Sequence, residues 1–78
     1  MAHRPMCLLR VRRQARGISQ EELSELLKKL GVEISQQAIS KIENNNAPMS
    51  PLVWRACSMV LDIPMEKFYQ WPPLLMES

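Results

Sequence analysis

The sequence predicts an all-α protein, a compact bundle of five short helices. Its 78 residues are enough for one small domain and no more. Only 5% of them are aromatic and two are glycine, whereas Leu, Met, Glu, Gln, Lys and Arg, which favour helices, are abundant. Because 46% of the residues are hydrophobic and 23% are charged, the chain can bury a core and is not typical of disorder.

The first helix is expected over residues 6–16. Pro5 is suited to the position that opens a helix, and Gly17 to the left-handed residue that follows one. The spacing of three apolar residues indicates the buried side of this helix, Leu8, Val11 and Ala15, with Leu9 beside it.

The second helix carries the strongest local signal. Ser19 and Glu22 have the spacing of a capping box, in which each side chain accepts a hydrogen bond from the other residue's backbone amide. Gly31 is expected to end the helix. Four leucines give it an apolar face: Leu23, Leu26, Leu27 and Leu30.

Three further helices follow. Ser35 can cap a third, from Gln36 to about Asn44, with Ile39 and Ile42 directed inward. Residues 44–46 are three asparagines, which favour a loop. Ser50 and Pro51 start a fourth helix that reaches about Leu61, and Pro64 starts a short fifth. Their apolar positions are expected in the core rather than in a ligand pocket: Trp54, Cys57, Leu61, Ile63 and Phe68.

Composition excludes several classes of protein. The sequence has no run long enough for a membrane span and no signal peptide, so we expect a cytoplasmic protein. With one histidine, His3, and two isolated cysteines, Cys7 and Cys57, the chain offers no metal site and no catalytic triad. We therefore expect no enzyme activity, no cofactor and no small-molecule substrate, and reduced cysteines in the core.

The basic residues are unevenly distributed. The net charge is only +2, yet residues 1–18 contain five arginines and no acidic residue. Such asymmetry is typical of a surface that binds a polyanion, and also of an ordinary solvated basic helix.

Two segments resemble the helix-turn-helix domain of lambda-type phage repressors and Cro, also called the xenobiotic-response-element type. They read Gly-Ile-Ser-Gln-Glu-Glu-Leu from Gly17 and Ala-Ile-Ser-Lys-Ile-Glu-Asn from Ala38, and the resemblance covers about residues 8–68. Gly31 lies three residues later than the turn glycine of that family, so we expect a lengthened second helix and a longer turn. Asn45 replaces the family's loop glycine.

The resemblance implies that the third helix, Gln36–Asn44, enters the major groove of double-stranded DNA. Glutamine amides can pair with adenine, and lysine can contact guanine or a phosphate. Serine can contact a base or a phosphate. The implied DNA-binding residues are Ser35, Gln36, Gln37, Ser40 and Lys41 for the groove, and Gln20, Asn44, Asn45 and Arg10 for the backbone. Arg10 and Arg16 are weaker phosphate candidates, and Arg4 lies in an arm that could reach the duplex. Each of these polar residues is alternatively part of an ordinary solvated surface.

Arg13 and Glu43 have a different expected role. At the matching family positions, an arginine of the first helix pairs with a glutamate late in the third. We therefore expect Arg13 and Glu43 to form a structural ion pair that holds the recognition helix.

The sequence thus indicates an arm (1–5), a DNA-binding domain (6–69) and a tail (70–78). Apolar residues 71–76 of the tail either fold back or form a self-association patch, and we favour a homodimer. The expected function is a sequence-specific, repressor-like transcriptional regulator. The alternative is a helical protein-interaction module or an antitoxin-type protein that binds a partner.

Overall fold

A computed structural model describes residues 5–72 of the chain. Within this range the backbone forms four α-helices, one 3-10 helix and a small two-stranded sheet. The helices are α1 (Leu9–Ala15), α2 (Gln20–Lys29), α3 (Gln36–Glu43) and α4 (Pro51–Leu61). The 3-10 helix is Met65–Phe68, and strand β1 (Met6–Cys7) pairs antiparallel with β2 (Tyr69–Gln70).

Serine side chains cap three of the helices at the predicted positions. The hydroxyl oxygens of Ser19, Ser35 and Ser50 accept hydrogen bonds from backbone amides at 3.0, 3.1 and 3.2 Å. At α2 the capping box is complete, because the Ser19 amide also donates to Glu22 Oε1 at 2.9 Å. After α2, Gly31 adopts the left-handed conformation with φ +84°. The predicted bounds of α2, α3 and α4 are confirmed.

The first helix begins later than predicted. Met6 and Cys7 pair with Gln70 and Tyr69 in the sheet, so their backbone is extended and α1 starts only at Leu9. The predicted buried stripe is also wrong. Leu9 and Arg13 face the interior, whereas Val11 is 55% exposed, Ala15 is exposed and Leu8 is half-buried. The later start changes the side of the helix that packs.

The expected fifth α-helix is a 3-10 helix of four residues, so residues 5–72 form four α-helices rather than five. Phe68 is fully buried, and its carbonyl accepts a hydrogen bond from the Leu8 amide at 2.8 Å. Tyr69 and Gln70 then pair with β1. Because this pairing uses the backbone groups that a longer helix would need, the helix stops at Phe68.

The core lies between the helices, and Phe68 of the 3-10 helix also packs into it. All four α-helices contribute fully buried side chains: Leu9, Leu23, Leu27, Ile39, Cys57 and Leu61. Trp54 and Ile63 are partly buried at its edge, and Leu30, expected in the apolar face of α2, is exposed instead. Cys7 and Cys57 are buried free thiols.

The turn between α2 and α3 is held from both sides. Val32 is buried, and the Ser24 hydroxyl on α2 donates to the Ile34 carbonyl at 2.6 Å. This bond joins the middle of α2 to the residue before the Ser35 cap. It therefore fixes where α3 begins relative to α2.

Candidate nucleic-acid interface

The exposed side of α3 carries the polar residues that the sequence singled out. Ile39 and Ile42 point into the core, which leaves the opposite side of the helix in solvent. Gln36, Gln37 and Lys41 are exposed there, beside the exposed cap residue Ser35 and the half-buried Ser40. Neither glutamine amide makes a hydrogen bond to any residue in the 5–72 range. Both amides are therefore available to an external partner.

The carboxylate of Glu43, at the end of α3, ties the helix to α1. Arg13 Nε donates to Oε2 at 2.6 Å and Arg13 Nη2 donates to Oε1 at 3.1 Å, and both residues are buried. The remaining Nη1 of Arg13 donates to the Ile18 carbonyl at 2.7 Å. One guanidinium thus joins α1, the carboxyl-terminal end of α3 and the residue before the α2 cap, and it fixes that end of α3.

Gln20 and Arg10, expected on the DNA backbone, also contact Glu43. Gln20 Nε2 donates to Glu43 Oε1 at 2.9 Å, and Arg10 Nε approaches the same oxygen at 3.4 Å. Arg10 Nη2 donates to Asn44 Oδ1 at 2.8 Å. The Arg10 side chain is 46% exposed. It therefore presents positive charge beside the end of α3 while it contacts the helix.

The pKa of Glu43 reflects this set of donors. Burial alone would raise the pKa, but hydrogen bonds from Arg13, Gln20 and Arg10, together with the charge of Arg13, lower it below its usual value. Glu43 is therefore a carboxylate at neutral pH. It balances Arg13 and leaves Lys41 and the outer part of Arg10 as positive charge near the exposed side of α3.

The asparagine loop follows directly after α3. Asn44 is the C-cap residue, and its Nδ2 lies 3.5 Å from Ser40 Oγ. Asn45 has φ +62°, the left-handed conformation expected at the position of a family glycine. Its Oδ1 accepts a hydrogen bond from the Cys7 amide at 3.2 Å. The loop is therefore attached to β1.

Arg12 of α1 and Arg16, the residue that follows this helix, have roles that the sequence did not reveal. Arg16 donates from Nε to the Leu61 carbonyl at 2.8 Å and from Nη2 to the Asp62 carbonyl at 3.2 Å. Arg12 Nε donates to the Lys67 carbonyl at 2.9 Å. The last turn of α4 contains no basic residue, and its free carbonyls need donors. These free carbonyls were the only sequence signal for the role of Arg16. Arg4, the phosphate candidate in the arm, lies outside the described residues.

Among residues 5–72, no group of three His, Cys, Asp or Glu side chains could hold a metal ion. In the same part of the chain, no helix has the length and apolar character needed to cross a membrane.

Comparison with known proteins places the helical region in a family. Residues 9–68, which include all four α-helices and the 3-10 helix, match a family model described as helix-turn-helix. No curated protein matches the chain. The matched region includes both α2 and α3, and it agrees with the extent of the resemblance seen in the sequence.

Proposed function

The chain belongs to the lambda repressor-like helix-turn-helix family of DNA-binding regulators, and from this membership we propose that it represses transcription by occupying specific operators. In this proposal α3 is the recognition helix and lies in the major groove. The observation that carries the proposal is the exposed pair Gln36 and Gln37, whose amides have no partner within residues 5–72.

Glutamine suits this position for a chemical reason. Its amide donates and accepts at once, which matches N6 and N7 of adenine in the major groove. Gln36 and Gln37 are the first two residues of α3, and side chains at the start of a recognition helix reach furthest into the groove. Lys41, about one turn later, can contact guanine or a phosphate.

The electrostatics of α3 also favour a polyanion. The first turn of α3 contains no acidic residue, so the partial positive charge of its amino-terminal end is not neutralised there. At the other end, the exposed part of Arg10 lies beside Asn44. In our proposal Arg10 and Asn44 contact the phosphate backbone, while Gln20 and Asn45 support the helix and loop that do so.

Selection of bound sequences from a random duplex library tests this proposal. We expect an enriched motif with adenines at the positions read by Gln36 and Gln37, and an affinity that falls steeply with salt. A matched Gln36→Ala, Gln37→Ala double variant serves as the control and should enrich a different or weaker motif.

The competing function is binding of a protein partner through the same fold. Absence of salt-dependent duplex binding, together with a stable protein complex, would favour that alternative.

A repressor that reads a two-fold operator would also need two copies, with α3 helices about 34–36 Å apart or a multiple of that spacing.

A further inference from the structure

A cleft lies beside the loop that follows α3, where the two ends of the described chain meet. Its volume is about 390 Å³, which is within the range of small-molecule sites in proteins. Three aromatic residues and two prolines give the cleft a largely apolar lining: Trp54, Tyr69, Trp71, Pro5 and Pro48.

The fold holds the aromatic rings of the cleft in place. Trp54 of α4 and Tyr69 of β2 meet edge to face, with ring centroids 5.1 Å apart and planes at 73°, and both pack against the core. Trp54, expected in the core, thus lies at its edge and also lines the cleft. Trp71 contacts Tyr69 at 6.0 Å and is 60% exposed, whereas residues 73–76 of the apolar tail lie outside the described residues. Trp71 therefore forms an open aromatic wall.

The Tyr69 hydroxyl is a hydrogen-bond donor that the cleft offers to a ligand. Its oxygen accepts a hydrogen bond from the Met49 amide at 3.1 Å, and within residues 5–72 its hydrogen has no acceptor. Burial raises the pKa of Tyr69, so the phenol stays protonated at neutral pH. The Trp54 indole N–H is already used, because it donates to the Met65 carbonyl at 2.7 Å. A ligand can therefore accept a hydrogen bond from Tyr69 but not from Trp54.

These features favour one class of ligand. Within residues 5–72, no side chain that lines the cleft is charged at neutral pH, so a charged ligand would lose hydration without gaining an opposite charge. An extended peptide presents a carbonyl at every residue, and the few donors of the cleft would leave most of them unpaired. A small neutral ring system with one acceptor avoids both costs, and its faces can stack on aromatic side chains.

We propose that the cleft binds a small neutral molecule of one or two flat aromatic rings, and that this ligand strengthens DNA binding. The ligand stacks on Trp71 and accepts a hydrogen bond from the Tyr69 hydroxyl. The binding site itself is independent of the proposed function, whereas the effect on DNA rests on it.

The loop between α3 and α4 connects the cleft with the side of the molecule proposed to contact DNA. Asn45 lines the cleft and directly follows Asn44, for which we propose a phosphate contact. Asn45 Oδ1 accepts a hydrogen bond from the Cys7 amide, and the Met49 amide donates to Tyr69. A ligand among these groups favours the loop position seen in the structure, and with it the position of Asn44. Ligand and DNA should therefore each raise the affinity for the other by the same factor.

Quinoline and indole are a matched pair of probes for the site. Both are neutral two-ring aromatics of similar size, but the quinoline nitrogen accepts a hydrogen bond, whereas the indole nitrogen donates one. In NMR titrations of the full chain without DNA, quinoline should shift the indole N–H signals of Trp54 and Trp71 along saturable curves. The side-chain amide signals of Gln36 and Gln37, which do not line the cleft, should stay unchanged.

Two variants separate the hydrogen bond from stacking. Tyr69→Phe should raise the dissociation constant for quinoline about threefold to tenfold and leave that for indole unchanged, because only quinoline offers an acceptor. Trp71→Ala should raise both constants about tenfold. The matched control, Leu52→Ala, removes an exposed apolar side chain of α4 that does not line the cleft, and it should change neither.

Two results of these titrations would overturn the site. Quinoline could give no saturable shifts of the tryptophan signals. Tyr69→Phe could weaken quinoline and indole equally, which would show that the variant acts through the fold and that no hydrogen bond to the ligand is lost.

The effect on DNA is measured separately. Saturating quinoline should tighten binding of a duplex recovered by selection about fivefold or more, and Tyr69→Phe should need more quinoline for the same effect. Unchanged duplex affinity with the cleft occupied would refute the effect on DNA. A chain that binds no duplex would refute the proposed function instead, and the titrations without DNA would still decide whether the site exists.

Discussion

Arg13 and Glu43 form a buried bidentate ion pair, with Nε–Oε2 and Nη2–Oε1 distances of 2.6 and 3.1 Å. Arg13 lies on α1 and Glu43 is the last residue of α3. A parallel arrangement of two N–H donors on one carboxylate fixes direction as well as distance. The pair therefore sets the orientation of the helix that carries Gln36 and Gln37.

Removal of Glu43 should destabilise the fold strongly. In Glu43→Ala the Arg13 charge stays buried without its partner, and such a loss lowers the free energy of unfolding by about 3–5 kcal/mol. A double replacement, Arg13→Met with Glu43→Leu, should lose less because no charge is left unpaired. Urea denaturation measures both. An unchanged midpoint for Glu43→Ala would show that the pair does not support the fold.

The lowered pKa of Glu43 predicts how stability depends on pH. The folded state holds the proton less tightly than the unfolded state, whose pKa is near the ordinary value of 4.5. The stabilisation by Glu43 is therefore fully present above pH 4.5 and is lost as the pH falls through the folded-state pKa. The measurement is the free energy of unfolding against pH for the unmodified chain and Glu43→Gln. The variant should lose less stability in the acid range, and parallel curves would contradict the assignment.

Features set by neighbouring residues could be predicted from the sequence. The caps at Ser19, Ser35 and Ser50 depend on contacts three residues away, so the bounds of α2, α3 and α4 followed from local patterns. The β1–β2 pairing joins opposite ends of the described chain, and nothing in the residues around Met6 signals it. The later start of α1 followed from that pairing.

In the candidate site, too, features set by the local sequence could be predicted and features set by tertiary packing could not. Exposure of Gln36 and Gln37 follows from the helical period that buries Ile39 and Ile42. The Gln20 bond to Glu43 depends instead on how α2 crosses α3, which a sequence pattern does not encode. The contacts of Arg16 with the Leu61 carbonyl at the end of α4, and of Arg12 with the Lys67 carbonyl in the 3-10 helix, also depend on tertiary packing.

Asn45 offers a test of backbone conformation. Asn45→Gly and Asn45→Ala both remove the side-chain acceptor of the Cys7 amide, but only alanine places a Cβ at φ +62°. The alanine variant should therefore be less stable than the glycine variant by about 1 kcal/mol. Thermal denaturation of the two variants in parallel gives the difference. Equal melting temperatures would mean that residue 45 is not left-handed in solution.

Cys57 should be inert to alkylating reagents in the folded protein. The side chain is fully buried, and burial raises its pKa to about 12, so the reactive thiolate is almost absent at pH 8. Iodoacetamide labelling followed by mass spectrometry should modify Cys57 only when denaturant is added. Cys7, whose pKa burial also raises, provides a second buried thiol for comparison. Rapid labelling of Cys57 without denaturant would contradict its place in the core.

Substitutions on α3 and on α1 should distinguish residues that read bases from residues that attract DNA. Gln37→Ala should weaken binding to the preferred operator by about 1–3 kcal/mol and relax the base preference at one position per half-site. Gln36→Ala should behave similarly. Binding to unrelated duplexes should change little in either variant, because phosphate contacts supply that affinity.

Arg10→Ala should weaken DNA binding without changing the base preference. It removes a positive charge beside Asn44, so it should weaken binding to all duplexes alike and reduce the slope of log affinity against log salt by about one unit. Because Arg10 also contacts Glu43, circular dichroism must first show that the variant is folded at the assay temperature. Salt titrations on operator and random duplexes give both quantities. If the double variant Gln36→Ala, Gln37→Ala keeps the selected motif while Arg10→Ala changes it, α3 does not read the bases, and the basic start of the chain does.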